Sequence, residues 1–204
     1  MKAPVLASEP VYVFQCGFSF QQRARYAVTM TASKFHLRAC SVVDSDLLSL
    51  VGSGAFLEAF ADDLDAADLL AHCQKNNSPA AFQKYLEQAT TRAFLAEVEP
   101  GSGPVGYILL CEPDLPVDLS PQDYELRRIY LFHRFQGTGI GRALMEKAKE
   151  ATGEMGRKRL LLGVYGKNHA AISFYEKAGF KKIGERRFLV GTTIHDDDVM
   201  AFDL

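Results

Sequence analysis

No apolar run in this chain approaches the roughly 18 residues that a membrane-spanning helix needs. The N-terminus lacks the basic stretch and apolar core of a secretory signal. Cysteine is scarce: Cys16, Cys40, Cys73 and Cys111 lie far apart, with no CxxC pair and no Cys/His ligand spacing. That argues against a disulfide framework or a zinc module and favours buried, reduced thiols. Neither sign of charge is in excess, since 23 basic residues face 25 acidic ones for a formal net charge of −2. Such a balance lacks the basic face that nucleic-acid binding needs. The expectation is a cytoplasmic protein with no membrane, nucleic-acid or metal partner.

What is present suits one packed domain with an appendage: 204 residues, 48% of them hydrophobic. Residues 1–31, with Pro4, Pro10 and a short strand pattern at Val11–Phe14, differ from the rest and read as an arm or an over-extended start. A domain over 32–204 follows. FHLRAC alternates as a strand. Asp44 or Ser45 can cap a helix along DLLSLVGSGAFLEAF, weakened by Gly52 and Gly54. A second helix falls near Asp65–Lys75, and Ser78-Pro79 opens a third in AAFQKYLEQAT. RAFLAEVE and VGYILLCEP flank a Pro/Gly turn and read as a hairpin. A Pro- and Asp-rich loop from Glu112 to Asp123 leads to the strand YELRRIYLF. A helix over Gly139–Gly153, the strand RLLLGVY and a short helix in NHAAISFYEKAGF come next, closed by Gly179. KKIGERRFLV and DDVMAFDL supply terminal strands. No internal repeat is visible. The order predicts a mixed α/β sheet rather than alternating βαβ units.

The stretch QGTGIG, residues 136–141, sits between a strand and a helix. Such a turn leaves backbone N–H groups unpaired at the positive end of the helix dipole. Glycine permits positive φ and close approach, so the turn suits an anion, most simply a phosphate. A P-loop would need Gly-Lys-Ser/Thr, but Arg142 and Ala143 follow Gly141. A Rossmann fingerprint would need glycine where Arg142 stands. A tight turn with no ligand is the alternative at this point.

QGTGIG fits the pattern Q/R-x-x-G-x-G/A, and about thirty residues later comes Asn168-His169-Ala170-Ala171-Ile172-Ser173-Phe174-Tyr175-Glu176-Lys177-Ala178-Gly179-Phe180. Together with VGYILL, these motifs resemble the GNAT superfamily of acetyl-CoA-dependent N-acetyltransferases over roughly residues 34–204. ELRRIYLFHRFQGTGIG, LLGVYGKNHAAISFYEKAGF and FLVGTTIHDDDVMAFDL more narrowly resemble bacterial spermine/spermidine acetyltransferases. The resemblance implies a mixed, mostly antiparallel sheet with splayed parallel strands 4 and 5. It implies acetyl-CoA as cosubstrate, no metal and a small-molecule amine acceptor, possible polyamines included. Gln136, Gly137, Thr138, Gly139, Ile140, Gly141 and Arg142 would hold the diphosphate. Ile129, Tyr130 and Leu131 would pair with the pantetheine arm, and the Leu131 N–H would face the thioester oxygen. Tyr175 falls on the general-acid position, with Phe174 and Phe180 as the better packing residues. Asn168 reads as a cofactor contact or a helix cap, and Lys177 as a phosphate contact or plain surface.

Glu125 reads as the base for the amine or as an exposed edge-strand charge. Glu112, Asp114, Asp118, Asp123 and Glu125, with Asp62, Asp63, Asp65 and Asp68, read as anionic walls attractive to a polyamine or as plain solvated surface. His195-Asp196-Asp197-Asp198 reads as a turn rather than a metal site. His133 and His169 read as surface residues flanking the cleft. Arg157-Lys158-Arg159 reads as a helix-end run within reach of the CoA 3′-phosphate. A homodimer is compatible with such folds, although no residue pattern marks an interface. The alternatives are a non-catalytic acyl-CoA-binding module and a protein N-terminal acetyltransferase.

Overall fold

A computed structural model describes residues 34–190 and 193–204. The expected arm over 1–31, its Val11–Phe14 strand and Cys16 lie outside the described residues. The elements are β1 (Phe35–Ala39), α1 (Ser45–Phe60), α2 (Ala66–Asn76), α3 (Pro79–Leu86), β2 (Arg92–Val98), β3 (Gly103–Cys111), β4 (Asp123–Leu131), α4 (Ile140–Glu154), β5 (Arg159–Tyr165), α5 (His169–Lys177), β6 (Lys181–Val190) and β7 (Thr193–Asp203). Asp65 caps α2 by accepting from the Asp68 N–H, and Ser78 caps α3 by accepting from the Ala81 N–H, with Pro79 in the first turn.

The seven strands form one sheet in the order β1-β2-β3-β4-β5-β7-β6. Every neighbouring pair is antiparallel except β4 and β5. That parallel pair meets only at Asp123↔Arg159, Tyr124↔Leu160 and Glu125↔Leu161. Beyond it β4 stays on β3 as far as Leu131, and β5 stays on β7 as far as Tyr165. The two strands therefore splay into a V with Glu125 at its vertex.

A bulge helps to set the splay. Leu110 opposes Leu126 while Leu109 opposes Arg128, so Arg127 is the extra residue on β4. Tyr124 and Leu126 before the bulge, and Ile129 and Leu131 after it, reach the same core. That core packs Ile140, Leu144, Met145 and Ala148 of α4, with Tyr175 of α5, on one sheet face. On the other face, Leu48 and Val51 of α1 and Phe82 of α3 cover Leu95, Tyr107 and Leu109. Each large apolar side chain buried this way contributes about 1.5–3 kcal/mol. Among the described residues no helix is long and apolar enough to cross a membrane.

α1 is continuous through Gly52 and Gly54. A Cβ on Gly52 would lie 3.1 Å from the Phe82 ring, and one on Gly54 3.2 Å from the Phe132 ring. The glycines let the helix settle close to its neighbours, and that packing offsets their propensity cost. One expectation is corrected: the run 195–198 is not a turn but part of β7. Its acids pair across the hairpin with β6, as Arg186–Asp197 at 3.0 Å and Lys182–Asp198 at 2.7 Å. Cross-strand pairs of opposite charge make the acidic run compatible with a strand.

His72 gives the fold a pH-dependent joint. Its ring stacks on Phe56 with centroids 3.8 Å apart, and Asn76 Nδ2 lies 3.3 Å from Nδ1. Burial, then the nearby charges of Arg128 and Lys75, push its pKa down to about 4. The folded state thus keeps a neutral ring that the unfolded chain protonates below its ordinary pKa. Stability is complete above pH 6.5 and is lost as pH falls toward 4. After allowance for solvent screening, the expected loss by pH 5 is about 1 kcal/mol. Urea denaturation from pH 7.5 to 5 should show this slope, and His72→Phe should flatten it.

Candidate active site

The mouth of the V is built from backbone. The Phe132 N–H donates to the Val105 carbonyl at 3.0 Å, on the β3 side. Strand alternation therefore turns the N–H and C=O groups of Ile129 and Leu131 toward the gap facing β5. Leu131 opposes Gly106 of β3. A Cβ on Gly106 would lie 2.5 Å from the Tyr130 carbonyl oxygen and 3.1 Å from the Leu131 Cα. Gly106 thus permits the close strand approach that positions this edge. Its only sequence signal was a glycine inside an apolar strand run.

The strand ends in a short 3-10 turn, His133–Phe135, anchored by the buried Phe135. Thr138 Oγ1 donates to the Phe135 carbonyl at 2.5 Å. Gly137 and Gly139 have φ of +76° and +93°, and a Cβ on either would meet nothing within 4 Å. Gly139 is the N-cap of α4 and has no side chain to satisfy the first-turn amides. Ile140 is buried and pins the helix to the core, while Gln136 and Arg142 are exposed beside the open turn. The result is a concave row of N–H groups at the positive end of a 15-residue helix.

Tyr175 of α5 is 8% exposed, with ring centroids 5.5 Å from Phe174 and 6.0 Å from Phe180. Tyr175 and Phe180 both belong to the core, and Phe174 packs against it partly buried. Burial holds the Tyr175 phenol above its usual pKa. Asn168 caps α5, its Oδ1 accepting from the Ala171 N–H at 3.0 Å. Lys177, His133 and His169 are exposed, and the His133 N–H donates to Glu58 at 2.7 Å.

Glu125 is buried, 1% exposed, on a central strand, so the edge-strand reading is corrected. Its carboxylate lies 2.9 Å from Arg127 Nε and accepts from the Asp114 N–H at 2.8 Å. Burial raises its pKa against the opposing pull of Arg127 and that N–H. Arg186 of β6 also acts on it, lying over Gly163 of β5, where a Cβ would come within 2.5 Å of the guanidinium.

A model of the acetyltransferase (GNAT) family matches residues 57–180. The chain belongs to the GNAT family. It is 34% identical over 163 residues to an uncharacterized N-acetyltransferase of Mycobacterium tuberculosis, covering 80% of this chain and 99% of the relative. An uncharacterized N-acetyltransferase of Lactobacillus delbrueckii subsp. lactis is 32% identical over 129 residues, 57% of this chain and 75% of its own. The crystal structure of PaiA N-acetyltransferase from Thermoplasma acidophilum, in complex with coenzyme A, shares the fold. Its TM-score is 0.67 at 20% identity, over 84% of this chain and 99% of that one.

In this GNAT enzyme the charged segments differ from the expectation. Glu112 pairs with Arg157 at 2.5 Å, and Asp123 with Arg159 at 2.7 Å. With Glu125 on Arg127, three of the five acids between Glu112 and Glu125 are thus paired with arginines. Asp65 is a helix cap, and Asp62 and Asp63 lie in the turn before it. Arg157 and Arg159 flank the start of β5, where the Lys158 N–H donates to the Gln122 carbonyl. That is the closed end of the V, beyond the C-terminal end of α4. Gly106→Ala should cost about 1–3 kcal/mol by overpacking. A lower urea midpoint at unchanged slope would show it.

Proposed function

We propose that this GNAT enzyme moves an acetyl group from acetyl-CoA to a primary amine in the gap between β4 and β5. The observation that carries the proposal is the side-chain-free N-terminus of α4, with open space above Gly137 and Gly139, at the mouth of an unpaired strand edge. This arrangement fits a diphosphate followed by an extended amide-bearing arm.

Acetyl-CoA supplies the acyl group as a thioester. Amides from Gly137 to Gly141 would hold the diphosphate, with Gln136 and Arg142 beside it. Ile129, Tyr130 and Leu131 would hold the pantetheine arm through the cleft-facing edge. The Leu131 N–H is a donor for the acyl oxygen, where negative charge develops. Tyr175 keeps its proton at neutral pH and delivers it to the departing sulfur. Asn168 retains its side-chain N–H₂ for a cofactor contact while its oxygen caps α5, and Lys177 stands free for a phosphate. Glu125, with its raised pKa, receives the amine's proton through water. A polyamine is one acceptor of this class, but the arginine pairing of Glu112, Asp123 and Glu125 removes much of the anionic attraction that favoured it.

Calorimetry should detect coenzyme A binding, weakened about tenfold by Gly139→Ala, whose added methyl strains a positive-φ residue and enters the cradle. No binding to the wild-type protein would refute the proposal. A thiol-release assay over a panel of amines reads the transfer. Tyr175→Phe should lower kcat by about 10²-fold or more while coenzyme A affinity stays near the wild-type value. Glu125→Gln should lower kcat and remove the acid limb of the pH–rate profile.

A further inference from the structure

One pocket beside the cleft edge gathers cations without a matching acid. Its volume is about 290 Å³, and Lys75, Asn76, Lys84, Tyr85, Gln88 and Arg128 line it. None of its lining residues is Asp or Glu. Arg128 differs from the arginines that hold the sheet's acids. Arg38, Arg127, Arg157, Arg159 and Arg186 each meet a carboxylate. Among the described residues no carboxylate forms an ion pair with Arg128, Lys75 or Lys84. Arg128 instead donates from Nη1 to Asn77 Oδ1 at 2.9 Å, and the buried Asn77 is itself tied to the Gly52 carbonyl.

The guanidinium is held in place by rings as well. Its carbon lies 5.1 Å from the Phe82 centroid and 5.6 Å from that of Tyr85. A stacked, amide-tethered guanidinium presents a fixed planar fork, which suits a carboxylate or phosphate. Two ammonium groups and two amides complete a donor-rich wall.

The pocket adjoins the cleft edge along β4. Arg128 immediately precedes Ile129, whose amide faces the cleft. Tyr130, two residues on, stacks on Tyr107 with ring centroids 5.8 Å apart. The cationic pocket and the cleft-facing edge are therefore carried by consecutive residues of one strand.

We infer that this pocket receives an oxyanion, a carboxylate or a phosphate, carried by the acceptor, so that the preferred substrate is an acidic amine rather than a polycation. The acceptor role rests on acetyl transfer in the cleft, whereas anion binding is measurable without it. Calorimetry of inorganic phosphate into protein saturated with coenzyme A leaves the α4 cradle filled and reads the remaining anion sites. Arg128→Gln should weaken phosphate binding about tenfold, as expected for loss of a charge-assisted pair. Lys84→Gln, on the exposed side of α3, should weaken it severalfold without touching the core.

The thiol-release assay should compare lysine with cadaverine, which lacks only the carboxylate, and glucosamine 6-phosphate with glucosamine. The acidic member of at least one pair should show a KM about tenfold lower, and Arg128→Gln should erase that preference. The pair that responds identifies the oxyanion. Phosphate affinity equal in the wild type and both variants would overturn the site. Preference for cadaverine, glucosamine or spermidine over the acidic amines would overturn the acceptor role. No thiol release from any amine, with phosphate affinity still dependent on Arg128 and Lys84, would uphold the site and refute the acetyl-transfer reading instead.

Discussion

The separation of β4 from β5 after three paired positions is the constraint on which the rest depends. A sheet interior rarely leaves main-chain N–H and C=O groups unpaired, because a buried orphan costs about as much as a lost hydrogen bond. Here β4 is held by β3 and β5 by β7, so neither can close the gap. The groups on Ile129 and Leu131 stay available. The Arg127 bulge and the bare Cα of Gly106 set the path of β4, and the glycine-led α4 delivers its amides to the same mouth. The opening is thus lined largely by main-chain groups.

Charge is arranged around that opening with little left over. Acids of the loop between β3 and β4 are bound by arginines at the closed end of the V, where they tie β4 to β5 and to the end of α4. The vertex holds Glu125 in a buried pair with Arg127. Removing one partner of such a pair is costlier than the pair is stabilising, since it strands a buried charge. Lys75, Lys84 and Arg128, which form no ion pair among the described residues, are gathered on the α2–α3 side of the sheet. The electrostatic character of the acceptor side is therefore set by which charges find partners, not by the composition of any one segment.

Much of the architecture was legible in advance, because strand and helix periodicity, Pro79, Ser78 and Gly179 act locally. Every described helix and strand was anticipated to within a few residues. The run 195–198 misled because four polar residues in a row look like a turn, and only the cross-strand basic partners on β6 make them a strand. The acidic loop misled for a related reason: its arginine partners lie about 35 to 45 residues away in sequence. Gly52, Gly54 and Gly106 carry no local sign of the ring or backbone atom each accommodates.

By itself, the sequence determined the order of elements, the membership of the GNAT family and the glycine turn at 136–141, since these depend on short-range spacing and on motifs read within one segment. Tertiary structure alone decided that Glu125 is buried at a vertex, that Tyr175 is a core phenol, that the RKR run follows the C-terminal end of α4 and that Arg128 forms no ion pair among the described residues. Burial and charge pairing are properties of neighbours in space, and a chain must be folded before a residue has any.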